Sequence, residues 1–122
     1  MPREMPKFTK SSPELVARFK AVMDRHAAPD IVRKQMFGYP GAWISGNMLT
    51  GLFAEDWWVR VSEGDREALL SMPGAHPLEV MPGKAMGSSV TMPAEVVGDD
   101  ASLDRWLTTA IDYARSLPPK KT

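Results

Sequence analysis

The chain has 122 residues, and its 15 basic and 15 acidic side chains leave no net charge at neutral pH. A chain of this length forms one ordinary domain that can fold without disulfides or a structural metal. It contains no cysteine, which excludes a disulfide framework, a thiolate metal site and a cysteine nucleophile. Since it also lacks a signal-peptide pattern and any long apolar run, we expect a cytoplasmic protein with no membrane association.

The first part of the chain predicts a loose arm followed by an amphipathic helix. Residues 1–10 contain two prolines and three basic residues, which favours a flexible basic N-terminal arm. Ser12 and Pro13 then indicate a helix start, because a serine oxygen accepts an unpaired backbone N–H and proline loses nothing in the first turn. One stripe of side chains follows at helical spacing, namely Leu15, Phe19, Val22 and His26. Pro29 predicts the end of this helix near Ala28.

Three strands are predicted next, joined tightly enough to form an antiparallel meander. We interpret residues 32–44 as one strand that bends at 38–41, where glycine and proline interrupt it. A turn at 45–47 separates this strand from a second strand at 48–54. A further turn leads into the third strand, at 57–61.

The middle of the chain predicts one short helix and two short strands. The helix covers 65–71, and either Ser62 or Gly64 caps it. The strands cover 78–81 and 89–92, on either side of a turn rich in proline and glycine. These elements would extend the sheet begun by the meander.

The last helix has the clearest pattern in the sequence. Its apolar stripe consists of Leu103, Trp106, Leu107, Ala110, Ile111, Ala114 and Leu117. Ser102 is the predicted cap, and Pro118 ends the helix. Trp106 lies in the middle of the stripe, so we expect its replacement by alanine to be among the most damaging single substitutions.

These elements follow in the order α-β-β-β-α-β-β-α. They predict one compact α+β domain in which the helices pack on an antiparallel sheet. We find no internal repeat and no second domain.

Charge is distributed unevenly along the chain. Residues 1–34 hold eight basic and four acidic side chains, a balance of +4, and the remaining seven basic and eleven acidic side chains give −4. A solvated basic face and an attraction for nucleic acid both fit this distribution. Since the net charge is zero and no recognition helix is evident, we expect no specific binding to duplex DNA by the chain alone.

Known catalytic and cofactor patterns do not fit the sequence. Gly83 and Lys84 resemble the end of a phosphate-binding loop, but Leu78 stands where that loop requires glycine. The two histidines are too few and too far apart in sequence for a metal site. Neighbouring carboxylates occur only in predicted turns, and no nucleophile elbow is present. We therefore predict no catalytic residue, no cofactor and no metal, and we do not expect an enzyme.

The third predicted strand suggests a contact surface. Trp57, Val59 and Val61 share one face of this strand, so Trp58 and Arg60 share the other. One of the two tryptophans is therefore expected on the less buried side of the sheet. The candidate ligand or interaction surface consists of Arg60, Lys84, Trp58 and Tyr39.

Several short segments arrive in an order typical of one protein family. They are Gln35-Met36-Phe37-Gly38, Gly46-Asn47-Met48, Trp58-Val59-Arg60-Val61, Lys84-Ala85-Met86 and Val90-Thr91-Met92-Pro93. Together they resemble the amino-terminal domain of the TfoX/Sxy family, over nearly everything from Ser12 to Lys120. The resemblance implies a compact domain like that of secretion chaperones at 11–118, followed by a short basic tail at 119–122. The MmcQ/YjbR type of small domain, which has a related layout, is the structural alternative.

The resemblance also implies a function. Longer members of the family assist the cyclic-AMP receptor protein as coactivators and not as enzymes. We therefore expect a stand-alone first domain that acts as a non-catalytic regulatory or protein-interaction module. The resemblance implies a transcription factor as the partner, and it leaves open whether the chain forms a homodimer. The alternative is a binder of a small anionic ligand near Arg60 and Lys84, where a strand arginine and a turn lysine would converge.

Overall fold

The structure is a computed structural model that describes residues 11–36, 38–81 and 84–119, and the side chains of residues 36 and 79–88 fall outside this description. Four helices are described: α1 Pro13–Arg25, α2 Glu63–Leu70, α3 Ala94–Val97 and α4 Asp100–Ser116. Six strands are described: β1 Ile31–Met36, β2 Tyr39–Ile44, β3 Asn47–Phe53, β4 Asp56–Arg60, β5 His76–Met81 and β6 Lys84–Thr91. The predicted arm at 1–10 and residues 120–122 of the predicted tail lie outside the described residues.

The described strands form one antiparallel sheet in the order β1-β2-β3-β4-β6-β5. The hydrophobic core lies between this sheet and the helices α1 and α4. Leu52 of β3 pairs with Trp57 of β4, and the ring of Phe19 on α1 lies 5.0 Å from the Trp57 ring. From α4, Leu103 and Leu107 are completely buried in the same core. The α+β class, with helices packed on an antiparallel sheet, is therefore confirmed.

One predicted strand proves to be two strands. Residues 32–44 contain a hairpin in which β1 pairs with β2 along its whole length, from Ile31 opposite Ile44 to Met36 opposite Tyr39. The chain reverses between Met36 and Tyr39, where Gly38 has a φ of +84°. This left-handed conformation suits glycine, so the break that we interpreted as a bend is a hairpin turn.

The first residues of the helices show which of the predicted N-terminal caps form. Ser12 caps α1 and Ser62 caps α2, each accepting a hydrogen bond from a backbone N–H three residues later. The cap of α1 is as predicted, and of the two candidates for α2, Ser62 is the cap and Gly64 is not. Ser102 does not cap α4, because the Asp99 carboxylate accepts the backbone N–H of Ser102 at 2.9 Å. The chain forms the short α3 before this cap, so α4 begins at Asp100, two residues earlier than the predicted cap.

Ion pairs join both ends of α4 to the segment that runs from the end of α1 to the start of β1. Near the start of α4, Asp104 accepts from Arg25 at 2.8 Å, and His26 Nε2 lies 2.8 Å from the same oxygen. Burial raises the pKa of Asp104, but the hydrogen bonds from His26 and Arg25 outweigh burial and leave this pKa below its ordinary value. Near the end of α4, Arg115 donates two hydrogen bonds to Asp30, which lowers the pKa of that carboxyl. Since Asp30 directly precedes β1, this exposed pair connects the start of β1 to the end of α4.

Candidate functional site

Two residues of the predicted contact surface are buried. Trp58 is 1% exposed and Tyr39 is 4% exposed, so the expectation that one tryptophan lies on a less buried side is wrong. The reason is Gly51 on the neighbouring strand: a Cβ at Gly51 would lie 2.8 Å from Cζ2 of Trp58, so the indole occupies the space that a side chain would fill. The Tyr39 ring packs edge-on against Phe53, with centroids 5.1 Å apart. Neither ring offers a stacking surface to solvent.

The other two residues of that surface are separated along the sheet. Arg60 is partly buried, and its backbone pairs with Ser89 of β6. Lys84 begins β6 and pairs with Met81, and its side chain lies outside the described part. Five residues along an extended strand span roughly 17 Å. The register therefore does not bring the backbones of Arg60 and Lys84 together, and the anion site between them stays a prediction.

The sheet has two edges, and they differ in regularity. At one edge, β5 contains Pro77, and its pairing with β6 shifts register twice. Proline and register shifts are devices that protect edge strands from pairing with other chains. At the other edge, β1 contains no proline and pairs with β2 through all six residues without a shift. Of the two edges, β1 is the better template for another strand.

The backbone of β1 presents hydrogen-bonding groups away from the sheet. The N–H of Ile31 donates to Ala28 at 3.0 Å and is therefore turned away from β2. Because alternate residues of a strand direct their N–H and C=O groups to the same side, Arg33 and Gln35 also direct theirs outward. Pro40, which lies opposite Gln35, agrees with this assignment, since it has no N–H to offer across the hairpin. We call this side of β1 the open edge.

A groove runs beside the open edge, between α1 and the β1–β2 hairpin. Its volume is about 260 Å³, and its apolar lining comes from Val16, Phe19 and Pro40. Val16 is 37% exposed, and Val32, on β1, is 52% exposed. They are the large hydrophobic side chains that the described part of the chain leaves exposed: Val16 lines the groove, and Val32 lies on the opposite face of β1 from Arg33 and Gln35. We call this cavity the β1 groove.

The rim of the β1 groove is positively charged. Lys20 and Arg33 supply its charges, and Lys34 also borders the groove. Asp24 is their nearby counter-charge: it accepts from Arg33 at 2.7 Å and from Lys20 at 3.4 Å, and the hydrogen bond from Arg33 lowers the pKa of Asp24. Lys34 Nζ lies 5.1 Å from the centre of the Trp43 ring, a cation–π contact. Lys20, Arg33 and Asp24 leave one positive charge in excess at the groove, and Lys34 adds a second on the opposite face of β1, which it shares with Val32.

Comparison with known proteins gives one family. The family model described as the TfoX N-terminal domain matches residues 25–114, well over half of the chain. The chain belongs to this family. No curated protein and no solved structure matches it significantly. The predicted likeness to secretion chaperones therefore stays a prediction.

The family match bears on the site directly. It covers β1 and β2, and so the whole open edge of this TfoX N-terminal domain. It begins at the end of α1, so Val16, Phe19 and Lys20 of the groove precede the matched residues. The open edge therefore lies within the matched residues, whereas the helical wall of the groove lies outside them.

A second cavity, of about 280 Å³, lies between α1, the β3–β4 turn and α3. Arg18 reaches across from α1 and donates two hydrogen bonds to the Val97 carbonyl, at 2.9 and 2.6 Å, and one to Asp100 at 2.8 Å. On the same side, Glu55 accepts from the backbone N–H of Ser12 at 2.7 Å. These groups join α1 to its neighbours, so we assign them a structural role.

Two further findings concern only the described ranges 11–36, 38–81 and 84–119. No group of three or more His, Cys, Asp or Glu side chains there is arranged to hold a metal ion. No helix there combines the length and the apolar character needed to cross a membrane.

The sequence prediction missed the open edge because it joined residues 32–44 into one strand. A hairpin signal was present, since Gly38 can adopt the positive φ of a tight turn. A second signal was the pair Arg33 and Lys34 in the middle of a short strand, because charged side chains on a strand are typical of sheet edges.

Proposed function

We propose that this TfoX N-terminal domain is a non-catalytic regulatory module that binds a protein partner at the open edge and the β1 groove. The observation that carries the proposal is an unbroken edge strand beside an apolar groove with a cationic rim. Exposed sheet edges bind partner segments through main-chain hydrogen bonds, and neighbouring pockets provide specificity. The groove volume of about 260 Å³ is below the range of roughly 300–1,000 Å³ typical of small-molecule sites. A cavity of this size suits one side chain of a partner better than a whole ligand.

The family supports the kind of partner that we propose. Because the TfoX/Sxy family is associated with transcription, a transcription factor is the partner class we favour. The zero net charge of the chain supports a role through protein contacts and not through specific contacts with duplex DNA.

Site-specific photo-crosslinking in the native cell tests this function. A photoreactive residue at Val32, which is exposed on β1, is expected to trap one defined protein. The matched control is the same residue at Thr108, which is exposed on α4. We expect the product from Val32 and not from Thr108. No product from Val32, or the same product from both positions, would reject binding at the open edge.

A further inference from the structure

We infer that the bound partner segment is an extended acidic stretch that adds to β1 as a further strand and places one apolar side chain in the β1 groove. This inference rests on the proposed function and specifies the chemistry of the partner. Three observations carry it: the direction of the β1 backbone groups, the charge at the rim and the size of the groove.

The backbone observation favours a strand over a helix as the bound element. Arg33 and Gln35 direct their N–H and C=O groups outward at alternate positions of a regular strand. A partner backbone in extended conformation satisfies these groups through a ladder of hydrogen bonds, as neighbouring strands do. A helix has its own backbone groups already paired and offers no such ladder.

The charge observation favours an acidic occupant. Along the open edge, Lys20, Arg33 and Lys34 exceed Asp24 by two charges, with Arg33 on the α1 face of β1 and Lys34 on the opposite face. Two of these cations are held in place. Asp24 holds Arg33 at 2.7 Å, and the Trp43 ring lies 5.1 Å below the Lys34 ammonium. Glutamate or aspartate side chains on an added strand would lie next to these cations, and opposite charges on neighbouring strands are stabilising.

The same charges argue against occupants supplied by this chain. Residues 1–10 contain three basic residues and one acidic residue, and Lys120 and Lys121 make the other end basic as well. A second copy whose β1 paired antiparallel with this one over its full length would place Arg33 of each strand opposite Lys34 of the other. Like charges on paired strands are destabilising, so the occupant is a different protein.

The groove accounts for the apolar side chain. Side chains of an added strand alternate between the two faces of the sheet. Those directed toward α1 meet the β1 groove, where Val16, Phe19 and Pro40 form the apolar lining. Those directed to the opposite face lie beside Val32, which pairs with Trp43 across the hairpin. The expected segment therefore has one large apolar residue flanked by acidic residues.

A synthetic peptide tests the inference with the purified domain. The probe is a fluorescein-labelled peptide of six residues, the length of β1. One leucine has a glutamate on each side, and the other residues are valines or glutamates. Fluorescence anisotropy is expected to show binding that Lys34→Glu weakens by about tenfold, which corresponds to about 1.4 kcal/mol. Arg105→Glu makes the same charge change at an exposed position of α4, and it is expected to leave binding unchanged.

Backbone methylation of the peptide separates strand addition from plain charge attraction. Two further peptides carry N-methyl groups at alternate residues, in one phase or the other. Strand addition requires that one phase abolishes binding and the other does not, since only alternate N–H groups face β1. Equal binding by both phases, or no binding of the parent peptide, would overturn the inference. If the photoreactive residue at Val32 still traps a protein in that case, the proposed function stands and the mode of binding is different. If it traps none, both the function and the inference are rejected.

Discussion

Replacing Trp57 by alanine is expected to lower the free energy of unfolding by about 3–5 kcal/mol, the usual cost of truncating a buried aromatic side chain. Trp57 is 1% exposed and packs against the Phe19 ring of α1. Its Nε1 also donates to the Thr50 hydroxyl at 2.9 Å, and that hydroxyl donates to the Trp58 carbonyl at 2.6 Å. The substitution therefore opens a cavity and removes one member of a buried hydrogen-bonded chain. Urea denaturation followed by far-ultraviolet circular dichroism measures the loss.

Trp57→Phe is the matched control, because it keeps an aromatic ring in the core and removes only the indole N–H and part of the ring. We expect it to cost about 1–3 kcal/mol, clearly less than alanine. If Trp57→Ala unfolds at the same urea concentration as the wild type, the assignment of this face of β4 to the core is wrong.

Gly51→Ala is expected to destabilise the domain by about 1–3 kcal/mol, although alanine is ordinarily tolerated better than glycine in a strand. The added Cβ would lie 2.8 Å from Trp58 Cζ2 and 3.0 Å from the Pro40 carbonyl oxygen. One of these neighbours is a buried ring and the other is backbone, so neither can move cheaply. The effect should appear as a lower midpoint in urea denaturation.

Gly64→Ala makes the same chemical change without the crowding. Gly64 lies in the first turn of α2, and a Cβ there meets no atom within 4 Å. Alanine favours the helix, so we expect a gain of about 0.4–1 kcal/mol. If Gly51→Ala raises the stability as Gly64→Ala does, the position of the Trp58 ring over Gly51 is contradicted.

Local signals in the sequence were enough to predict α1, α2 and α4, whereas the short α3 was not predicted. Ser12 and Ser62 cap their helices through hydrogen bonds that span three residues, and such contacts depend only on neighbouring sequence. The apolar stripe of α4 is likewise a local pattern. How deeply each residue of the stripe is buried was not predictable. Leu103 and Leu107 are completely buried, whereas Trp106 is only partly buried at the margin of the core. Trp106→Ala is therefore expected to cost less than Trp57→Ala.

Contacts between neighbouring strands limited the prediction of the site. Alternation along β4 correctly separates Trp57 from Trp58, but the burial of Trp58 depends on Gly51 in the adjacent strand. Similarly, the charges of Arg33 and Lys34 are visible in the sequence. That they lie on an edge strand follows only from the hairpin, which places β1 at the edge of the sheet beside β2. The order of strands in a sheet is a property of the whole chain, and periodicity within one segment does not contain it.

Amide hydrogen exchange along β1, followed residue by residue by NMR in the free domain, tests most directly whether the edge is open to a partner. The account predicts an alternating pattern: the N–H groups of Val32 and Lys34 are paired with β2 and exchange slowly, whereas those of Arg33 and Gln35 face outward and exchange quickly. Adding the acidic peptide should slow exchange at Arg33 and Gln35 and leave Val32 and Lys34 as they were. Slow exchange at Arg33 and Gln35 in the free domain would show that the edge is already covered, and it would contradict the account.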